Sequence, residues 1–314
     1  MVDYARLPTE QPNPRSRALD RLPIPQLLRL MNREDAAVPR AVGRVIPQIA
    51  RAADLMAARL RGGGRIVFLG AGTSGRLGML EAAECPPTFN TPPSLVQAII
   101  AGGPEAVFRS REGAEDDRRR ARREVARRVR RGDAVIGIAA SGVTPFVEDG
   151  LRAARARGAA TILLTCHPTT RARSLVEVLI APTVGPEVIA GSTRLKAGTA
   201  TKLVLNMLTM AAMVRLGKVH GPWMVDVCPT SKKLRARALR IIEAVSGAPR
   251  ARALRALRQA GDDVKVAVVI AGLGVNAHEA RRRLRRHRGQ LRHIFSEAAG
   301  TVRGPRARGS RSFF

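Results

Sequence analysis

Residues 65–89 read RIVFLGAGTSGRLGMLEAAECPPTF, and the succession of residue types in that stretch decides the fold. Ile66 to Leu69 is a short apolar run of β type. Gly70, Gly72 and Gly75 follow it, letting the backbone turn tightly and come close to a ligand. Thr73 and Ser74 add hydroxyls. The segment beyond reads as a helix, whose free first-turn amides and positive dipole end favour an anion. Glu84 stands near the far end of that helix, where Cys85-Pro86-Pro87 stops it. Strand, turn, helix and acid together predict a phosphate site beside a candidate catalytic carboxyl.

The spacing Gly70-x-Gly72-x-x-Gly75 after a strand is formally the dinucleotide fingerprint. That fingerprint also requires an acid at the end of the next strand to hold a ribose hydroxyl. Here the strand, Val96 to Ile100, runs into Ala101-Gly102-Gly103 and the first acid is Glu105, which argues against nicotinamide or flavin binding. No lysine follows the glycines, so the turn is not a nucleoside-triphosphate P-loop.

A chain of 314 residues with 45% hydrophobic residues builds a sizeable core, in one large or two small domains. Aromatics make up only 3%, so that core is made of Ala, Val, Leu and Ile, which suits helices covering a parallel sheet. The polar, proline-broken N-terminus and the expected lack of an apolar run of membrane length predict a cytoplasmic protein with no membrane partner. Cys85, Cys166 and Cys228 are odd in number and far apart, with no CxxC or histidine cluster nearby, which argues against a disulfide frame and a structural zinc. The formal charge of +30 invites a nucleic-acid reading. Only six of the 55 basic residues are lysines, however, and arginine spread over helix faces is what compositional drift produces. Nucleic acid is therefore not expected as a partner, and any such binding belongs to the C-terminal quarter. From Lys232 onward that region carries 21 basic residues against 5 acidic ones.

Outward from the opening stretch, Leu7 to Pro14 is a turn-rich arm expected to drape on the rest of the chain. A helix carrying Ile24, Leu27, Leu28, Leu30 and Met31 on one side follows, then a second helix over Val42 to Leu60 that ends at Gly62-Gly63-Gly64. From 65 to about 217 strands alternate with helices. The strands are expected at 66–69, 96–100, 134–139, 161–165 and 176–181, and a long apolar helix at 195–217. Such alternation predicts an α/β fold, a parallel sheet with helices on both faces and ligands at the carboxyl ends of its strands. Three of those ends carry hydroxyl-rich turns: Gly70 to Gly75, Ala140-Ser-Gly-Val-Thr-Pro145, and Gly191-Ser-Thr-Arg-Leu-Lys196. One such turn is commonly a helix cap, but three converging at strand ends point to a phosphate contact. Thr73, Ser74, Ser141, Thr144, Ser192 and Thr193 are its candidate ligands. Lys196, Lys202 and Arg76 are left open between site and surface.

At these motifs the chain resembles the N-acetylmuramic acid 6-phosphate etherase family. The resemblance rests on GAGTSGRLGMLEAAECPPTF, on EGAEDD at 112–117, on VGPEVIAGSTRLKAGTATKLVLNMLTMAAMVRLGKVHGPWMVDV at 184–227 and on LPTEQPNPRS near the start, and it extends from about residue 7 to 298. It implies a sugar isomerase (SIS) fold, a homodimer and no metal or organic cofactor. The implied activity is cleavage of the D-lactyl ether of a 6-phosphorylated muramic sugar by water, in peptidoglycan recycling. Four divisions are expected: an N-terminal arm and helices over 1–60, the sugar-phosphate domain over 61–231, a small helical cap of ubiquitin-associated type over 232–302, and a disordered tail over 303–314.

The chemistry needs two carboxyls. An alkyl ether has a poor leaving group, but in the open-chain aldehyde the C2 hydrogen is acidified by the carbonyl, so elimination followed by water addition is the accessible route. One group removes that proton and another protonates the departing oxygen, each contributing about 100- to 10,000-fold. In the family the glutamate of the ECPPT motif is the acid, here Glu84; Glu115 matches the second catalytic glutamate, the base at C2. A free glutamate titrates near about 4.3, so Glu84 is expected to sit where its surroundings raise that value if it is to donate. Both are expected to reach one hydroxyl-lined cleft with Ser74 and Ser141. The chain departs from the family at Val143 and Phe146, where arginine and tyrosine are usual, and at His167 and His220, where asparagine and tyrosine are expected. The competing reading is a non-catalytic sugar-phosphate sensor resembling the glucokinase regulatory protein.

Overall fold

A computed structural model describes residues 7–302; the tail assigned to 303–314 lies outside the described residues. The chain divides into two compact units. One comprises the chain up to Pro86 together with Thr91–Ala212, the other Pro87–Asn90 together with the chain from Met213 onward.

The first unit is built on five parallel strands, β1 (Ile66–Gly70), β2 (Val96–Ile100), β3 (Ala134–Ile138), β4 (Ala160–Leu164) and β5 (Val178–Ile180), in the order β2-β1-β3-β4-β5. β1 pairs with β2 through Ile66↔Val96 and with β3 through Ile66↔Ala134. The strands are dominated by Val, Ile, Leu and Ala and are buried on both faces save at Gln97 of β2, the pattern that a doubly covered parallel sheet requires. Val67, Leu69, Val135 and Leu163 pack with Ala121 and Val125 of α5 (Arg118–Arg128) and with Phe146, Val147 and Leu151 of α6 (Pro145–Ala156). Phe68 faces the opposite side, where a Cβ on Gly78 of α4 (Gly72–Phe89) would lie 2.9 Å from it. The parallel sheet with helices on both faces is thus as expected. Several boundaries moved. β1 ends one residue later, β3 ends one earlier, β4 is displaced one residue earlier and β5 is shorter; α4 runs through Pro86-Pro87 to Phe89 instead of stopping there; and the single helix over Val42–Leu60 is two, α2 (Val38–Gly43) and α3 (Ile46–Arg61). Pro47 accounts for that break, because its ring suits a first helical turn and its missing N–H cannot continue the preceding one.

Arginine heads close several open ends of this unit. Arg128 donates to the Ala98 carbonyl of edge strand β2 (3.3 Å), Arg65 to Arg128 O (2.6 Å), Arg157 to Val129 O (2.8 Å) and Arg76 to Val107 O (2.9 Å). α7 (Lys196–Arg215) is, against expectation, long and apolar enough to cross a membrane by length and composition. Its burial explains the composition, since Ala197, Ala200, Val204, Leu205, Leu208 and Ala212 are all in the core.

The arm is fastened to the start of α7 through α1 (Ile24–Asp35). Lys196 Nζ meets Glu34 Oε2 at 2.6 Å, with the two side chains 3% and 5% exposed. Asn13 Nδ2 donates to the same oxygen (2.9 Å) and to Pro186 O (3.2 Å), and Arg15 donates to Glu34 Oε1 (2.9 Å). Gly191 N donates to Thr9 O at 2.9 Å. Burial by itself would raise the Glu34 pKa, but the hydrogen bonds from Lys196, Arg15 and Asn13 outweigh it and hold the carboxyl at about 2.

The second unit contains a short hairpin, β6 (Val219–His220) and β7 (Trp223–Met224), and the helices α8 (Lys232–Ser246), α9 (Arg250–Ala260), α10 (Val264–Leu273), α11 (Ala277–Arg286) and α12 (Leu291–Val302). α10 is its apolar centre, with Val266, Ala267, Val268 and Val269 buried among Ile241, Ile242, Leu257 and Ile294.

The Glu34–Lys196 pair yields a stability prediction. Lys196→Met leaves a buried carboxylate short of its closest cation and should cost about 3 kcal/mol in urea unfolding, whereas Glu34→Gln/Lys196→Met should recover much of that. Because the folded pKa of Glu34 lies below the ordinary 4.5, its contribution is complete above that value and is lost as pH falls through about 2. A Lys196→Met protein with an unchanged urea midpoint would remove the pair from the account.

Candidate active site at the strand ends

The order β2-β1-β3-β4-β5 puts the switch point of the sheet between β1 and β3, which is where an open α/β sheet leaves a crevice for a ligand. The turns leaving those two strands are the first two hydroxyl-rich turns. After β1 the chain has no room for a side chain at Gly70 or Gly75: a Cβ on Gly70 would lie 2.7 Å from Gly75 N, and one on Gly75 2.6 Å from Ile100 Cγ1 and 2.8 Å from Gly70 O. α4 therefore starts against the strand, with Gly72 at φ +53° and no acid in its first turn. Its dipole end and the Thr73 and Ser74 hydroxyls are left for an anion.

The turn after β3 is held from below by the chain after β4. Thr165 Oγ1 donates to Ala140 O (3.1 Å), His167 N donates to Thr165 Oγ1 (3.1 Å), and Thr170 Oγ1 donates to Gly142 O. The His167 ring adds Nδ1 to Ser141 O (3.0 Å) and Nε2 to Thr169 Oγ1 (3.1 Å). His167 is thus a structural brace for the Ser141 turn. Val143, in the family's arginine position, is buried, and Phe146 is fully so. Thr144 occupies the N-cap position of α6, yet its side chain caps nothing.

The first turn of α7 comes close to the first hydroxyl turn, since a Cβ on Gly198 would lie 3.7 Å from Thr73 Cγ2. The dipole end of α7 is already taken: Glu187, fully buried, accepts from Lys196 N and Ala197 N at 2.9 Å each. Burial raises the Glu187 pKa, and those amides and Lys196 oppose the rise. An anion at this junction is left with the amides of α4 and with hydroxyls. Among the described residues, the side chains of Thr73, Ser74, Thr144, Ser192 and Thr193 make no hydrogen bond within the protein, and Ser141 Oγ only accepts from Val143 N at 3.4 Å.

Glu115 sits on a 3-10 turn, Ala114–Asp116, ahead of α5. It lines a cleft of about 100 Å³ together with Gly72, Arg76, Ser110 and Glu112, so its carboxyl neighbours the glycine turn. Burial raises its pKa, and the charges of Asp116 and Glu112 raise it further. Arg118, in the next turn of chain, pairs with Asp149 of α6 at 3.4 Å and fixes the segment.

Glu84 is elsewhere. It is exposed and lies twelve residues beyond Gly72 on α4, roughly 18 Å along the axis at about 1.5 Å per residue. Neither Glu84 nor Ser74 nor Ser141 lines the cleft that Glu115 lines, so the expected meeting of these four side chains is not found there. One turn earlier, Leu80 is 47% exposed on the same helix face. Glu81 points inward to Asn206 Nδ2 (2.7 Å) and Thr209 Oγ1 of α7, which brings the exposed Met207 and Met210 of α7 to the same neighbourhood. Lys196 and Lys202 are also resolved, the first buried on Glu34 and the second bonded to Asn206.

Sequence reasoning passed over Glu187, Glu81 and the role of His167. The one available signal was for Glu187, an acid in VGPEVIAGSTR ahead of a predicted helix, where a capping carboxylate belongs.

Residues 48–155 match the family described as the glucokinase regulatory protein N-terminal SIS domain. The chain is 51% identical over 274 residues to the N-acetylmuramic acid 6-phosphate etherase of Symbiobacterium thermophilum, covering 87% of this chain and 91% of that one. It is 49% identical over 306 residues to the enzyme of the same name from Rubrobacter xylanophilus, covering 97% of each. Among solved structures, phosphoheptose isomerase from Neisseria gonorrhoeae aligns with a TM-score of 0.47 at 18% identity, covering 60% of this chain and 99% of that one.

The crowding at the first turn sets a test. Gly75→Ala should destabilise the protein by about 1–3 kcal/mol through overpacking and push α4 away from β1. Gly43→Ala, whose Cβ meets nothing within 4 Å, serves as control. Equal urea midpoints for the two variants would show that the close approach is not required.

Proposed function

The chain belongs to the N-acetylmuramic acid 6-phosphate etherase family and is a carbon–oxygen lyase, and we propose how its residues divide the cleavage of N-acetylmuramic acid 6-phosphate into N-acetylglucosamine 6-phosphate and D-lactate. The single observation that carries the assignment is identity near one half sustained over 97% of the chain. The setting we infer is the cytoplasm, in the recycling of peptidoglycan.

In this reading the sugar phosphate is held at the switch point by the α4 amides and by Thr73, Ser74, Ser141 and Thr144, with Ser192 and Thr193 on its flank. Hydroxyls without protein partners suit the task, because binding breaks no internal bond to free them. Glu115 acts as the base at C2. Its raised pKa favours this role, since a base works best when its pKa approaches the operating pH. Expulsion of the lactate oxygen needs a donated proton, assigned to Glu84, and water then adds at C3.

The distance between the two carboxyls leads to the assembly. Leu80, Met207 and Met210 are 47%, 39% and 48% exposed, an apolar face beside Glu84 that favours cover by a second copy. We infer a homodimer in which Glu84 of one subunit serves the cleft that holds the other's Glu115. The glucokinase-regulatory-protein match supports the non-catalytic reading only over 48–155, and retention of both glutamates weighs against it.

Two experiments test this. Glu84→Gln should abolish lactate release while still exchanging the C2 hydrogen for deuterium in heavy water, whereas Glu115→Gln should lose both, as read by mass spectrometry of recovered substrate. Exchange lost in Glu84→Gln but kept in Glu115→Gln would reverse the roles. Refolding an equal mixture of the two inactive variants should restore about a quarter of wild-type activity, because each mixed dimer rebuilds one of its two sites. No recovery despite mixed dimers would place both carboxyls of a site in one chain.

A further inference from the structure

The second unit carries a cationic cleft that lyase chemistry does not use. It has a volume of about 400 Å³ and opens beside the start of α10 and along α11, lined by Lys265, Arg281, Arg285 and Arg288 together with Asp226 and Asp263. Both carboxylates are already engaged. Asp226 is gripped by Lys218 at 2.8 Å and Lys265 at 2.6 Å, and Asp263 caps α10 by accepting from Val266 N at 3.0 Å.

The arginines of this region fall into two sets. Arg282 and Arg283 pair with Glu279 at 2.7 Å each, and Arg286 pairs with Glu297 at 3.1 Å. Arg281 donates to the Ala260 carbonyl at 3.0 Å. Arg285 and Arg288, which line the cleft, have no carboxylate partner among the described residues. Arg288 sits in the left-handed region at φ +51°, followed by Gly289 at +76°, because the two residues cap the end of α11, with Arg288 N donating to Arg285 O at 3.1 Å. The turn is fastened by Gly289 N donating to Leu284 O (2.8 Å) and by Gln290 Nε2 donating to Arg215 O (3.1 Å).

Arg285 and Arg288 are exposed, as are Arg282 and Arg286, but among these four they are the two that line the cleft and have no carboxylate to neutralise them. We propose that this cleft binds a small phosphorylated anion, with Arg285 and Arg288 as its principal ligands and Lys265 and Arg281 at its margin. The proposal stands on the second unit alone and is independent of the etherase assignment.

The test is calorimetric titration of the full chain with inorganic pyrophosphate at physiological ionic strength, in a Ser74→Ala/Ser141→Ala background that weakens binding at the strand ends. One saturable pyrophosphate per chain is expected. Adding Arg285→Gln/Arg288→Gln should weaken it about tenfold or more, as the loss of charge-assisted hydrogen bonds predicts. The charge-matched Arg282→Gln/Arg286→Gln should change it less than about threefold, since it alters only screened, long-range attraction. Absence of saturable binding in that background, or equal loss in the two charge-matched variants, would overturn the proposal.

Discussion

The buried pair between Glu34 and Lys196 is the constraint on which the strand-end region depends. Lys196 is the first residue of α7, so anchoring its side chain to Glu34 while Glu187 takes its backbone amide fixes where that helix begins. The start of α7 in turn brings Gly198 beside Thr73. A lone buried charge is costly, and the chain meets that cost by bringing Asn13 and Arg15 of the arm to the same carboxylate. The arm is therefore part of the wall behind the site.

A second economy concerns helix dipoles. Glu187 fills the amide end of α7, which leaves an anion at the strand ends to the starts of α4 and α6, where Thr144 caps nothing.

Much of this was legible in the residues. The strands read correctly because Val, Ile and Leu runs bounded by glycine have few other uses in a chain of this composition. What escaped was everything set by partners distant in sequence. Nothing local distinguishes buried Lys196 from a surface lysine when its partner is 162 residues away. Glu81 and Glu84 sit three apart on one helix, and only the packing of α7 tells which turns inward. The expectation that Glu84 and Glu115 of one chain meet ignored the rise of the helix between the glycine turn and the ECPPT motif.

The arginines that donate to backbone carbonyls at Ala98, Arg128, Val129 and Val107 bear on how this sequence can change. In a chain so rich in arginine, planar forks close ends that a compact ammonium on a flexible stem fits less well. Such residues become entrenched. A later shift of the genome back towards lysine would find the exposed helix faces free to follow and these positions held in place, so the history of the composition is retained at the seams of the fold after it has been erased from the surface.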